Sequence, residues 1–220
     1  SMSVPSGEDD AGVVPLEEAL IVNDPAERRR LMLSMLTEEP DAYLAQLQAA
    51  KLNDDVEVAH YAATAVVQIS KESDLKLQQL ERAFKTDPSA QNLNEYCDFL
   101  GEYLGSGLAE GRVAQIQRQQ YARLLARRCE REDTLELRIR YATALADVGQ
   151  IDEAQAVTDQ LVLDVPEEQE VWMLCLRLAV MRRDGDEVHR VIDAIDKQHV
   201  YLSAANREEL AFWRNGEEVR

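Results

Sequence analysis

Glycine and proline are scarce, at 9 and 6 in 220 residues. A many-stranded sandwich or barrel needs a turn every ten residues or so, and turns draw on those two residues, so that class is excluded. Positive charge is also in short supply. Against 42 Asp and Glu stand 24 Lys and Arg, for a net charge of −18. A sequence-independent nucleic-acid binder needs a basic surface to neutralise phosphates, and this chain as a whole lacks one. Adhesion of the whole chain to an anionic membrane is disfavoured for the same reason. Long apolar runs are missing: the longest aliphatic stretch is Ala19-Leu20-Ile21-Val22, far short of a membrane span. No secretory signal pattern opens the chain. The three cysteines, Cys97, Cys129 and Cys175, have no CxxC spacing and read as free thiols in a reducing, cytoplasmic compartment. Ser1 ahead of Met2 has the look of a cleavage scar, so this is expected to be the soluble part of a longer protein.

At 45% hydrophobic and 30% charged, the chain is neither disordered nor fibrous. Residues 1–14 are small, acidic and aperiodic and read as a flexible leader. From Pro15 onward apolar residues recur at three and four, the period of an amphipathic helix. Pro25 and Pro40 each start a helix, the second placing Tyr43, Leu44, Leu47 and Ala50 on one face. Asn53-Asp54-Asp55 caps a third helix, running through Ile69. Ser73 caps a fourth, through Leu77, Leu80 and Phe84, ended by Asp87-Pro88. No alternating strand pattern appears, so the fold class is all-α.

Evenly spaced helix pairs suggest an internal repeat. Within 135–168, Ala142, Gly149, Ala154 and Pro166 take the eighth, fifteenth, twentieth and thirty-second places of a 34-residue frame. Small residues at the eighth and twentieth places let two helices of a hairpin approach. The glycine serves the turn, and the proline ends the second helix. The next frame, 169–202, puts Trp172 at the fourth place, for hairpin packing, and Val188, Ile192 and Ile195 on its second helix. Earlier frames start at 57 and 93. Pro88 and Pro166 lie 78 residues apart, ten more than two periods. Two extra residues fall at 91–92 and eight in the second helix of the 93–134 unit. That helix, near 109–131, should therefore exceed its neighbours by about 12 Å.

These residues resemble the tetratricopeptide repeat family, best in LADVGQIDEAQAV and LERAFKTDPSAQNLNEY. The resemblance covers 57–202, as units 57–90, 93–134, 135–168 and 169–202. Residues 15–56 look more like a HEAT-type helix pair, and 203–220 read as a capping helix and tail. The resemblance implies a right-handed α-solenoid of antiparallel helix hairpins. It further implies a groove lined by the second, fifth, ninth and twelfth places of each first helix. Those places hold Val58, Tyr61, Ala65 and Gln68; Asn94, Cys97, Gly101 and Leu104; Glu136, Ile139, Thr143 and Ala146; and Glu170, Met173, Arg177 and Val180. Relatives that hold a chaperone tail's carboxylate carry Lys, Asn and Arg there, a set this chain lacks. A mixed, moderately apolar groove suits a helix or extended segment of a partner protein. More loosely, the HEAT-like start, LNDDVEVAHYAATAV and SGLAEGR resemble the cytoplasmic repeat domain of PelE-type exopolysaccharide-secretion components. That likeness implies a repeat domain following membrane helices and helping to assemble a synthase complex, with a membrane-complex subunit as partner.

Residues 111–140 hold eight arginines and four acids. Arg123, Arg127 and Arg131 sit at i, i+4 and i+8, on one helical face. They read either as a docking patch for an acidic or phosphate-bearing partner, or as cations paired with the chain's own acids or simply solvated. Gly101, Gly105 and Gly107 match the GxxxGxG of short-chain dehydrogenases. That motif must follow a buried strand, and these glycines follow a helical segment and fall at a hairpin turn. His60, His189 and His199 are far apart with no metal-ligand spacing. Phe212 and Trp213 point differently around the last helix, leaving one for an outside contact. No cofactor, metal or catalytic set is expected. The leading expectation is a non-catalytic interaction scaffold. It has the long helix or the terminal Trp helix as a route to a homodimer. The alternatives are a helical-fold enzyme or small-ligand regulator with a site hidden from sequence spacing, and an RNA-binding helical repeat, which the acidic balance disfavours.

Overall fold

A computed structural model of the chain describes residues 44, 45, 47–49, 51, 52 and 56–215. The expected leader, most of the HEAT-like pair, the Asn53-Asp54-Asp55 cap and the last five residues lie outside the described residues. The described residues are helical with short connections, and no strand occurs among them. No helix among them is long and apolar enough to cross a membrane. The chain divides into two units, with the boundary after Gln79.

In the first unit Leu44, Ala45 and Leu47–Ala49 are helical, with Leu44 and Leu47 buried on the expected face. Helix α1 (Val56–Thr86) follows, 31 residues long, its last seven residues belonging to the second unit. It corrects the expected break at Ser73, and with it the expected hairpin turn inside 57–90. The reason is local. Between Val56 and Thr86 there is neither glycine nor proline to stop a helix. A single stripe of covered positions also runs through the supposed break: Ala62, Val66, Ile69, Ser73, Leu77, Leu80 and Phe84 are all buried or half-buried. Ser73 lies within that stripe and not at a cap.

The second unit holds the rest: α2 (Ala90–Gly105), α3 (Gly111–Cys129), α4 (Leu135–Asp147), α5 (Ile151–Asp164), α6 (Gln169–Met181), α7 (Gly185–Lys197) and α8 (Ala204–Asn215). From α2 to α8 each helix packs on the next, and α4 also packs on α6. Three of these helix starts, α2, α4 and α7, carry side-chain caps. Ser89 accepts from the Asn92 amide at 3.3 Å, Thr134 from Leu137 at 3.3 Å and Asp184 from Glu187 at 2.9 Å.

The 34-residue spacing is present in the backbone. α4 and α6 start 34 residues apart, as do α5 and α7. Their hairpin turns repeat bond for bond. Val148, Gly149 and Gln150 donate to the carbonyls of Ala144, Ala146 and Leu145. Arg182, Arg183 and Asp184 donate to those of Leu178, Val180 and Ala179. This is a Schellman-type helix end, with a left-handed residue after the cap. Gly149 has φ 78°, and Arg183 takes the same place with φ 57°. Gly107, at the fifteenth place of the frame from 93, is also left-handed, with φ 73°.

Packing follows the same frame. The eighth places, Leu100, Ala142 and Leu176, are all fully covered. Ala142 and Ala154 share one core with Leu145, Leu161, Leu174 and Leu178. Trp172 anchors the next, with Leu176, Val188, Ile192 and Leu210, and its indole N–H donates to the Pro166 carbonyl at 2.7 Å. The buried Thr158 hydroxyl is satisfied by the Ala154 carbonyl at 2.7 Å.

The frame from 93 departs from this pattern by eight residues. α3 has 19 residues against 14 in α5 and 13 in α7, so it is the longer helix as expected. It takes up only part of the insertion, however. The connection before it, 106–110, is two residues longer than 148–150. The excess of α3 is therefore nearer one and a half turns, about 8 Å. The two extra residues at 91–92 extend the start of α2, where the Ser89 cap fixes the helix three residues ahead of the frame.

Candidate functional site

The first helices of the hairpins, α2, α4 and α6, together with α3, surround a half-open cleft of about 560 Å³. Gly101, Leu104 and Gly105 come from α2, Arg118 and Tyr121 from α3, Ala144, Ala146 and Asp147 from α4, and Arg177 and Met181 from α6. Gly101, Leu104, Ala146 and Arg177 occupy ninth and twelfth places of successive frames. Small side chains leave the space, and the polar groups sit around it. Arg177 donates to Asp147 at 2.5 Å, tying α6 to the end of α4.

Behind the cleft lies a polar network that orders its wall. The Arg140 guanidinium donates to the Tyr121 hydroxyl through Nε at 3.1 Å and Nη2 at 2.9 Å. Its Nη2 also reaches Asp98 Oδ1 at 3.0 Å, and Arg128 Nη1 reaches the same oxygen at 2.6 Å. One carboxylate thus holds two guanidiniums, from α3 and α4, onto α2. Gly101 is required here: a Cβ on it would lie 2.8 Å from the Tyr121 hydroxyl. Close approach of Tyr121, and not a phosphate, explains the first glycine of the GxxxGxG spacing. Gly105 ends α2 and Gly107 lies in the following turn, with no strand before them.

The titrations of this region are those of a structural network. Burial raises the Tyr121 phenol, even though Arg140 works against the rise. Burial opposes the Arg140 charge, but Tyr121 and Asp98 outweigh it and hold the guanidinium protonated. Burial raises the Cys97 and Cys129 thiols and pushes Cys175 up to about 12. An activated nucleophile needs the opposite shift, toward thiolate. Among the described residues no three His, Cys, Asp or Glu side chains converge as metal ligands. His60 is exposed on α1, and His189 Nδ1 lies 2.7 Å from the Gly185 carbonyl of its own helix. The arrangement offers shape and fixed polar groups at its rim.

The expected groove residues are scattered relative to this cleft. Tyr61 and Gln68 lie on α1 in the first unit, where Gln68 is exposed and donates to Glu72 at 2.6 Å. Cys97 corrects the expectation: it is fully buried, because its place on α2 faces Arg128 and the core and not the groove. Asn94 is half-buried and reaches Glu132 at 3.4 Å. Glu136 and Glu170 are exposed, Thr143 is half-buried, and Met173 packs on the α6–α7 core. Of the places named for the groove, Gly101, Leu104, Ala146 and Arg177 line the cleft. Arg118 and Tyr121 do so without having been expected. They come from a second helix, which the repeat frame assigns to the outer layer.

Arg123, Arg127 and Arg131 are all exposed. Arg123 donates to the Gln119 carbonyl at 3.3 Å and Arg131 to the Pro88 carbonyl at 3.4 Å. Arg127 lies over the Phe84 ring, 5.7 Å from its centroid. None of the three pairs with a carboxylate among the described residues. At the other end of the unit Phe212 is exposed and Trp213 half-buried against the last core.

At the level the fold shows, this is an all-α protein whose second unit is built from short, neighbour-packed helices. Comparison with protein-family models, with curated proteins and with solved structures returned no match.

Proposed function

We propose that the chain is a non-catalytic interaction scaffold of the tetratricopeptide-like helical-repeat type, and that a partner segment docks in the cleft between α2, α4 and α6. The observation that carries this reading is the origin of the cleft. Equivalent places of three successive first helices meet in one concavity, as expected where hairpins stack in register. Its small-residue floor admits side chains of a partner, and Arg118, Tyr121 and Arg177 supply polar anchors at the rim. The raised pKa values of the three thiols suit structural rather than nucleophilic cysteines.

The larger context follows from the sequence likeness to PelE-type components: a cytoplasmic scaffold of a bacterial exopolysaccharide-secretion complex, with a membrane-complex subunit as partner. Membrane helices in the parent sequence and glycosyltransferase genes beside it would support that context. Their absence would remove it and leave the scaffold reading standing.

Gly105 gives the test of the cleft. A Cβ there meets nothing within 4 Å, so Gly105→Trp starts into the cleft without a clash at Cβ. A partner recovered from the native host at physiological salt should bind at least about tenfold more weakly to Gly105→Trp, at unchanged melting temperature. Unchanged affinity would reject the cleft as the docking site.

A further inference from the structure

α3 differs from every other helix of the second unit in its charge. It carries five arginines and no acid in 19 residues, in a chain with 42 acids. Arg128 is neutralised by Asp98. Arg112, Arg118, Arg123 and Arg127, and Arg131 just beyond the helix, have no carboxylate partner among the described residues. Elsewhere in the unit most arginines pair with acids: Arg138 with Asp164, Arg177 with Asp147, Arg182 with Asp152, Arg190 with Glu187 and Arg214 with Asp196, while Arg82, Arg183 and Arg207 are scattered singly on other segments. In so acidic a chain, four such cations on α3 and a fifth just beyond it are a concentration that an external anion would complement.

We propose that the exposed face of α3 docks an acidic, amphipathic segment of a partner protein, with its carboxylates on Arg123, Arg127 and Arg131. The three guanidiniums are held by uncharged groups: a backbone carbonyl, an aromatic ring and a second carbonyl. They are ordered without being neutralised. Arg123 and Arg127 lie about one helical turn apart on α3, roughly 6 Å along its axis and matched to Glu side chains at i and i+4 on a facing helix, and Arg131 follows in the turn after Cys129. Beside them runs a groove of about 440 Å³ bounded by α3, α4 and α5. Ala122, Ala126, Tyr141, Leu145 and Val148 line it, with Arg123 at its edge. An apolar side chain of the docked segment fits there. The surface around the patch selects against longer polyanions. Glu130, Glu132 and Asp133 follow at the C-terminal end and Glu153 lies across the groove, all exposed. A nucleic-acid strand or an anionic bilayer would extend onto those acids, whereas a short acidic segment ends within the patch.

This site is separate from the cleft between α2, α4 and α6, and the proposal stands without it. The test uses fluorescence anisotropy of a labelled peptide of about three helical turns, with Glu at every fourth place and Leu on the adjoining face. The expected result is saturable binding, lost at least about tenfold when ionic strength rises from about 0.05 to about 0.3 M. Arg123→Gln, Arg127→Gln and Arg131→Gln together should abolish it, with the circular-dichroism melt unchanged because all three side chains are exposed. Gly105→Trp should leave it intact. No binding, or equal binding to the triple variant, overturns the proposal. So does loss of binding on Gly105→Trp, which would place the peptide in the other cleft. Tight binding of phosphatidylserine vesicles or of a single-stranded oligonucleotide that the triple variant loses would assign the patch to a different anion and also overturns it. So would salt-sensitive self-association removed by the same substitutions, which would make the occupant a second copy.

Discussion

The hairpins α4–α5 and α6–α7 repeat each other, whereas α2–α3 does not. The first two share helix starts 34 residues apart, identical turn hydrogen bonds and covered eighth places. Their arginines pair with acids on neighbouring elements, as in Arg177–Asp147 and Arg182–Asp152. In α2–α3 the loop is longer, the second helix is longer, and its exposed arginines are left without carboxylates. The difference shows where constraint sits. Core packing dictates the frame wherever two helices must interlock. Where the chain departs from the frame, the added surface is free to carry charge and clefts.

The largest expected effect tests whether the regular hairpins are governed by their core. Leu161→Ala should destabilise by about 3 kcal/mol in urea unfolding, since Leu161 is fully buried. Ile116→Ala on the exposed face of α3 should change stability by no more than about 0.5 kcal/mol. Equal losses would break the comparison.

Next comes the network that ties the irregular hairpin to the regular one. Asp98→Ala should cost about 2 kcal/mol, because it strands Arg128, whose side chain is 10% exposed. Arg128 Nε already lacks a hydrogen-bond partner. Adding Arg128→Met should recover part of the loss, since an apolar chain of similar size needs no partner. A double variant less stable than Asp98→Ala alone would show that Arg128 does not depend on Asp98.

The turns provide a smaller and sharper test. Arg183 adopts the left-handed conformation that Gly149 adopts one repeat earlier. Arg183→Gly should stabilise by about 1 kcal/mol and Gly149→Ala should destabilise by a similar amount. Opposite signs in thermal melts would confirm that both turns obey one backbone rule. A loss in both variants would mean that the Arg183 side chain contributes more than its strain costs.

Near neutral pH the thiols contribute nothing to stability and are read by their reactivity instead. A chromogenic disulfide reagent should label half-buried Cys129 first and leave buried Cys97 and Cys175 until the protein opens. Burial favours the neutral thiol of Cys175 and raises it from 9.0 to about 12. The folded state therefore binds a proton that the unfolded state has lost across that interval. Stability should be unaffected by this group below about pH 9 and fall as pH rises from there toward 12. Cys175→Ala should flatten that alkaline limb, and an unchanged limb would assign it to other groups, such as Tyr96, which is also pushed up to about 12 by burial.

Sequence alone determined the helical class, the turn at Gly149 and the 34-residue spacing of the last two hairpins. These depend on local physics: Ser89, Thr134 and Asp184 cap helices through their own next turn, and Gly149 meets a backbone demand within one loop. The expected break at Ser73 failed at the same local level. A serine can cap or continue a helix, and the unbroken stripe from Ala62 to Phe84 decided for continuation. Only the tertiary structure decided which arginines are neutralised and where the cleft lies. Asp98 reaches Arg128 and Arg140 across 30 and 42 residues, and Gly101 accommodates Tyr121 from another helix. No spacing rule covers such separations, because they depend on how far each helix slides and turns against the next. The frame places Cys97 in a groove, whereas in the structure it is fully buried beside Arg128. The exposed cations of α3 were visible as residues in the sequence; their lack of partners became visible only once the neighbouring helices were in place.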